Sequence, residues 1–148
     1  MSNEPFHIFL ADDDETDRLL FEEAFEELST KTAITMFKDG SHLMDHLNNN
    51  ANSLPHLIFL DLNMPLKNGL VCLEEIRANK KFKEIGVAIY STSSSEKDIE
   101  DTFHMGANVY IKKPNDFTLL KKMLEKTVNL AYQYQQPPFN KENFLLRI

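Results

Sequence analysis

Short apolar runs alternate along the chain with longer stretches in which apolar residues recur every three or four positions. The runs are His7–Ala11 (HIFLA), Thr32–Phe37 (TAITMF), Leu57–Leu60 (LIFL), Val87–Tyr90 (VAIY) and Val109–Ile111 (VYI). Each is too short for a buried helix, and their β-branched and aromatic content fits strands. Leu57–Leu60 carries no polar residue at all, as expected of a strand covered on both faces, which is a property of parallel sheets.

The intervening stretches have helical spacing. Thr16–Leu28 places Leu19, Leu20, Ala24, Phe25 and Leu28 on one side and acids on the other. Ser41 is the expected N-cap of a helix carrying Leu43, Met44 and Leu47. Leu70–Ala78 continues the pattern on Leu70, Leu73 and Ile76, and Phe117–Tyr132 does so on Leu120, Met123, Leu124, Val128 and Ala131. Glu96–Met105 is the most polar helix, with Ile99 and Phe103 as its few apolar residues and Gly106 as its stop. The basic linker Asn79–Lys83 reads as a solvated loop. Strands alternating with helices imply right-handed crossovers and one parallel sheet with helices on both faces.

That topology makes the strand ends informative, because parallel strands deliver their C-terminal residues to one edge of the molecule, where open α/β sheets place ligands. The first run ends in Asp12, Asp13 and Asp14, the third in Asp61, the fourth in Ser91 and the fifth in Lys112, Lys113 and Pro114. Carboxylates brought together repel one another unless a cation is present. Oxygen ligands with room for water suit Mg²⁺, and the backbone carbonyl of Asn63, two residues past Asp61, is a further candidate ligand. A lysine and a hydroxyl beside an acid and a cation are the groups needed to hold an acyl phosphate on Asp61.

Composition narrows the class. With 148 residues, 42% apolar and 26% charged, the chain has the size and balance of one globular domain. The net charge of −7 argues against a broad nucleic-acid or acidic-membrane footprint. Cys72, the one cysteine, falls in an apolar helical pattern and reads as a buried thiol in a reducing compartment. No segment has the length of a signal peptide's apolar region or of a membrane span, so a cytoplasmic protein is expected. The histidines supply no convincing metal grouping; His42 and His46 form an i, i+4 pair without a third ligand.

The DD pair in LADDDE, the central LIFLDLNMP, the YST after the fourth run and the closing GANVYIKKP together resemble the receiver domain of two-component response regulators. The resemblance covers roughly residues 6–132, and Ser91 and Lys113 follow Asp61 by 30 and 52 residues. It implies a flavodoxin-like (βα)5 three-layer sandwich with strand order 2-1-3-4-5. It implies Asp61 as phosphoacceptor, Asp13 as a direct Mg²⁺ ligand, Asp12 as one through water, and Asn63 through its carbonyl. It further implies Ser91 as switch hydroxyl, Lys113 as phosphate-pairing lysine and Tyr110 as the aromatic that changes rotamer. Thr92 and Ser93 occupy positions tied to partner choice and dephosphorylation, and Lys113–Pro114 is implied to be a cis peptide. Asn115 departs from the family, which often has an aromatic there.

On this reading the chain is a regulatory domain, not an enzyme, with residues 1–134 as receiver and 135–148 as a tail whose apolar end docks on the domain or a second protomer, or stays mobile. It is expected to be a single-domain regulator like those serving phytochrome-like and other hybrid histidine kinases, with a downstream protein target and no nucleic-acid or membrane partner. Two other classes use the same residues. Asp12, Asp14 and Thr16 match D-x-D-x-T, the nucleophile motif of haloacid-dehalogenase-type phosphatases, which leaves LIFLDLNMP unexplained. The other is a phosphorylation-independent scaffold on the receiver fold, which leaves the full acidic set without a purpose.

Overall fold

In the computed structural model, which describes residues 5–28 and 31–133, strands and helices alternate throughout. The order is β1 (Phe6–Ala11), α1 (Glu15–Glu26), β2 (Thr32–Phe37), α2 (Gly40–Asn48), β3 (Leu57–Leu60), α3 (Gly69–Ala78), β4 (Gly86–Ser91), α4 (Glu96–His104), β5 (Val109–Lys112) and α5 (Phe117–Gln133). All four strand pairings are parallel and the sheet runs β2-β1-β3-β4-β5. This is the flavodoxin-like order expected from the sequence, with β3 at the centre as its uninterrupted apolar composition requires.

Alternation along each strand divides the core in two. Ile8, Leu10, Leu57, Phe59, Ala88, Tyr90, Val109 and Ile111 face α1 and α5. Phe9, Ala11, Ile58, Leu60, Val87, Ile89 and Tyr110 face the layer of α2, α3 and α4. All four residues of β3 are buried, so this strand is the seam between both halves. Helix α4 is held least firmly: Thr102 is its one buried residue, and Ile99 and Phe103 lie only partly covered.

Several expectations are corrected in detail. Helix α1 buries Phe21, Ala24 and Phe25, while Leu19 and Leu20 are 53% and 39% exposed. The stripe 21, 24, 25, 28 has the i, i+3, i+4, i+7 spacing of one face, and Leu19 and Leu20 fall beside it. Helix α2 is capped by Asp39, whose carboxylate accepts from His42 N–H at 2.7 Å, and not by Ser41, which is within the first turn. The basic linker contains a 3-10 turn, Lys80–Phe82, that drives Phe82 into the core. Lys113–Pro114 is trans, as is every peptide bond among the described residues; an X–Pro bond favours trans by about 0.5–1 kcal/mol unless a turn selects the other isomer.

Two glycines matter to the site. A Cβ on Gly69 would lie 2.2 Å from the Asp61 carbonyl oxygen, so α3 starts against the backbone just beyond β3. Gly106 ends α4 at φ +97°, a conformation costly for other residues. The expectations for residues 134–148, including the apolar tail, fall outside the described residues.

Candidate functional site

Three strand ends build the site, and the sheet itself sets their backbones. Asp12 N–H donates to Phe37 O, Asp61 N–H to Ala11 O, and Lys113 N–H to Ser91 O, at 3.0, 3.0 and 2.8 Å. Each functional residue is thus the first beyond its ladder, tied to the neighbouring strand. Carboxylate oxygens of Asp12, Asp13 and Asp61 all lie within 4.8 Å of one another. Asp12 and Asp61 are buried and Asp13 is exposed, leaving the cluster open on one side.

Lys113 supplies the counter-charge. Its Nζ is 2.8 Å from Asp12 Oδ2, 2.8 Å from Asp17 Oδ2 and 3.2 Å from Asp61 Oδ2. It also sits 5.3 Å from the centre of the buried Tyr90 ring, within range of a cation–π contact. Burial disfavours the ammonium, but the contacts with Asp12 and Asp17 outweigh it and hold Lys113 above the usual lysine value.

Asp12 is in the opposite position. Burial pushes its carboxyl up to about 6, only partly offset by Lys113 and by the Asp14 N–H that donates to Oδ1 at 3.0 Å. Its Oδ2 is fully buried and near Lys113, yet no donor is aligned on it. A buried carboxylate oxygen short of a hydrogen bond, next to two other carboxylates, fits a hard divalent cation. The residues present therefore match a metal centre. Arg18 Nη1 donates to Asp12 O at 2.8 Å and fixes the backbone behind it.

The remaining expected residues surround this centre. Asn63 is exposed and its N–H donates to Asp61 Oδ1 at 3.2 Å, turning the loop back over that carboxylate. Ser91 is fully buried at the end of β4, and its hydroxyl accepts from Ser93 N–H at 3.1 Å. Thr92 is exposed. Tyr110 is fully buried, with its hydroxyl donating to Ser93 O at 2.9 Å, so the ring points inward and pins the loop between β4 and α4. Ser93 Oγ in turn donates to Asp98 Oδ2 at 2.6 Å, coupling that loop to the first turn of α4.

The phosphatase-type alternative loses its geometry here. Asp14 and Thr16 are exposed, and Asp14 is spent capping α1 by accepting from Asp17 N–H at 2.9 Å. The His42 ring is bonded to Asp39 at 2.6 Å, within its own helix cap. Two participants escaped the sequence reading, Asp17 and Tyr90. Asp17 lies 96 residues from its lysine partner, and only the packing of α1 over β3 and β4, through Phe21 against Phe59 and Tyr90, brings them together.

The chain is similar in sequence and fold to several known proteins. The response regulator Rcp1 of Synechocystis sp. is 31% identical over 128 residues, covering 84% of this chain and 87% of its own. The probable methanogenesis regulatory protein FilR2 of Methanothrix harundinacea is 30% identical over 128 residues, covering 84% and 83%. Among solved structures, the phosphorylated cyanobacterial phytochrome response regulator RcpA superposes with a TM-score of 0.81 at 31% identity, over 92% of this chain and 100% of that one. The Mn²⁺-bound form of Rcp1 does so at 0.78 and 27% identity, over 92% and 99%. With the family model for the response regulator receiver domain matching residues 8–125, this chain belongs to the response regulator receiver family.

Proposed function

We propose that the chain is a phosphoryl-accepting switch in which Asp61 takes a phosphoryl group from a phosphohistidine of a sensor histidine kinase. An oxygen of the Asp61 carboxylate forms the new P–O bond as the P–N bond to histidine breaks, and the acyl phosphate is later lost to water. The observation that carries this reading is Lys113 Nζ at 3.2 Å from Asp61 Oδ2, within a cluster that includes a second buried carboxylate, Asp12, whose Oδ2 has no aligned donor. Asp12, Asp13, Asp61 and the Asn63 carbonyl are the groups that would hold Mg²⁺, which supplies charge neutralisation for the transferring phosphoryl.

What the chain's own residues contribute is position and charge. Lys113 offers a fixed ammonium to the phosphoryl oxygens, and the buried site strengthens that attraction. The Ser91 hydroxyl sits on the next strand end and, by turning toward the phosphoryl, would give up its bond from Ser93 N–H. That exchange would release the loop Tyr110 holds and bias the surface of α4, β5 and α5, the face a downstream partner reads. The likeness to RcpA, a cyanobacterial phytochrome response regulator, supports a phytochrome-type kinase as the phosphodonor. Among the described residues no helix is long and apolar enough to cross a membrane.

The test is labelling with a small acyl phosphate donor and Mg²⁺. Wild type should incorporate one phosphoryl group and Asp61→Asn none. Label that survives in Asp61→Asn but vanishes in Asp12→Asn would instead support phosphatase-type chemistry.

A further inference from the structure

The lysine of this site is shared with a carboxylate that lies outside the acidic cluster. Asp17 is in the first turn of α1, with its backbone N–H fixed by the Asp14 cap, and its Oδ2 is 2.8 Å from Lys113 Nζ. This is shorter than the 3.2 Å from the same nitrogen to Asp61 Oδ2. The Asp17 side chain is 31% exposed, against 9% for Lys113, so the contact closes over the lysine from the solvent side. Carboxylates of Asp12, Asp13 and Asp61 form the potential metal cluster, and Asp17 is not among them.

We propose that Asp17 is a positioning residue that competes with the phosphoryl group on Asp61 for Lys113, and thereby weakens the phosphorylated state. This rests on Asp61 being the phosphoacceptor. The Lys113 ammonium already donates to Asp17 and Asp61, with Asp12 Oδ2 2.8 Å away as a third carboxylate in charge contact. A phosphoryl group arriving on Asp61 must draw Nζ away from Asp17 or share it. The Asp17 charge also opposes the added negative charge of the phosphoryl directly. Both effects act in one direction, toward lower affinity for the anion and a shorter-lived acyl phosphate.

Beryllofluoride, an anion that adds to a carboxylate as a phosphoryl stand-in, gives a direct readout when titrated by ¹⁹F NMR at Mg²⁺ concentrations saturating for each variant. Asp17→Asn keeps the side chain's shape and removes its charge; it should bind the anion about three- to tenfold more tightly than wild type, as expected for release of one partly exposed charge pair. The gain should shrink at high ionic strength, and Asp17→Glu, which keeps the charge, should stay within about twofold of wild type. A merely structural role would move stability but not this order of affinities. Circular dichroism verifies each fold, and Asp17→Ala carries the same expectation as Asp17→Asn. Unchanged or weaker binding in the neutral variants, beside clear binding in wild type, overturns the role of Asp17 alone. No binding in wild type overturns the phosphoacceptor reading and this inference with it.

Discussion

Arg77 Nη2 donates to Asn108 Oδ1 at 2.9 Å, and the same oxygen accepts from Val87 N–H at 2.8 Å. Through Nε and Nη1 the guanidinium also donates to Gly106 O at 2.8 Å and Ile85 O at 2.9 Å. One side chain of α3 thereby joins the entry of β4 to the turn that ends α4. These hydrogen bonds from a charged, largely covered donor predict that Arg77→Ala lowers unfolding free energy by about 2–3 kcal/mol. Lysine should not rescue it, because it lacks the planar fork that serves several carbonyls at once. Denaturant titration measures both; a loss below about 0.5 kcal/mol would show the clasp to be incidental.

Asp12→Asn should stabilise the metal-free protein. With the folded-state pKa raised from 3.8 to about 6, the carboxyl is protonated in both states below about pH 4. As pH rises from about 4 to 6 the unfolded chain releases the proton while the folded chain retains it, so stability falls, and the full penalty persists above. Asparagine removes it, a gain of about 1–3 kcal/mol at pH 7 that disappears near pH 4. The same substitution should abolish the rise in Tm that Mg²⁺ gives wild type. An Mg²⁺ response that survives in Asp12→Asn would take Asp12 out of the metal site.

Cys72 is fully buried and its Sγ lies 3.7 Å from Gly40 O. Burial pushes the thiol from 9.0 up to about 11. Unfolded cysteine ionises from about pH 9 while the folded thiol stays protonated, so stability should decline between pH 9 and 11, by up to about 3 kcal/mol, and Cys72→Ala should lack that decline. A thiol reagent at pH 8 should react only at the rate of unfolding; fast labelling under native conditions would contradict the burial.

Tyr110→Phe keeps the ring and deletes the hydroxyl that holds Ser93 O. The expected cost is about 1 kcal/mol, with faster amide hydrogen exchange over residues 92–96 and little change in β5. Exchange that is unaltered there would mean that Ser93 and Asp98 hold the loop unaided.

The strands and the convergence of Asp12, Asp61, Ser91 and Lys113 were legible because short apolar runs separated by helical periodicity leave few topologies, and a parallel sheet sends all strand ends to one edge. The strand order came from the ordered motifs, not from periodicity. Less was readable where one residue's surroundings decide. Phe21 and Leu20 are adjacent and equally apolar, and only the rotation of α1 against β3 and β4 settles which is buried. Asp39 and Ser41 are both good caps, and the carboxylate two residues earlier wins because its backbone is already extended at φ −157°. Phe82 was hidden by the lysines around it. Asp17 looked like any acid on a solvated helix face, since its role depends on a contact across the whole length of the domain.

The backbone bonds that tie Asp12, Asp61 and Lys113 to neighbouring strands carry a consequence for signalling. Under the proposed function, a pocket anchored in the ladder would not itself be the moving part without breaking the sheet, so the message leaving it would be small: a hydroxyl that turns, an ammonium that changes partners. The amplification would then fall to α4, whose one buried residue is Thr102 and whose Ile99 and Phe103 are only partly covered. The domain would thus divide into a stiff sensor of charge and a loosely moored reporter, and evolution could retune the reporter for a new audience without disturbing the sensor.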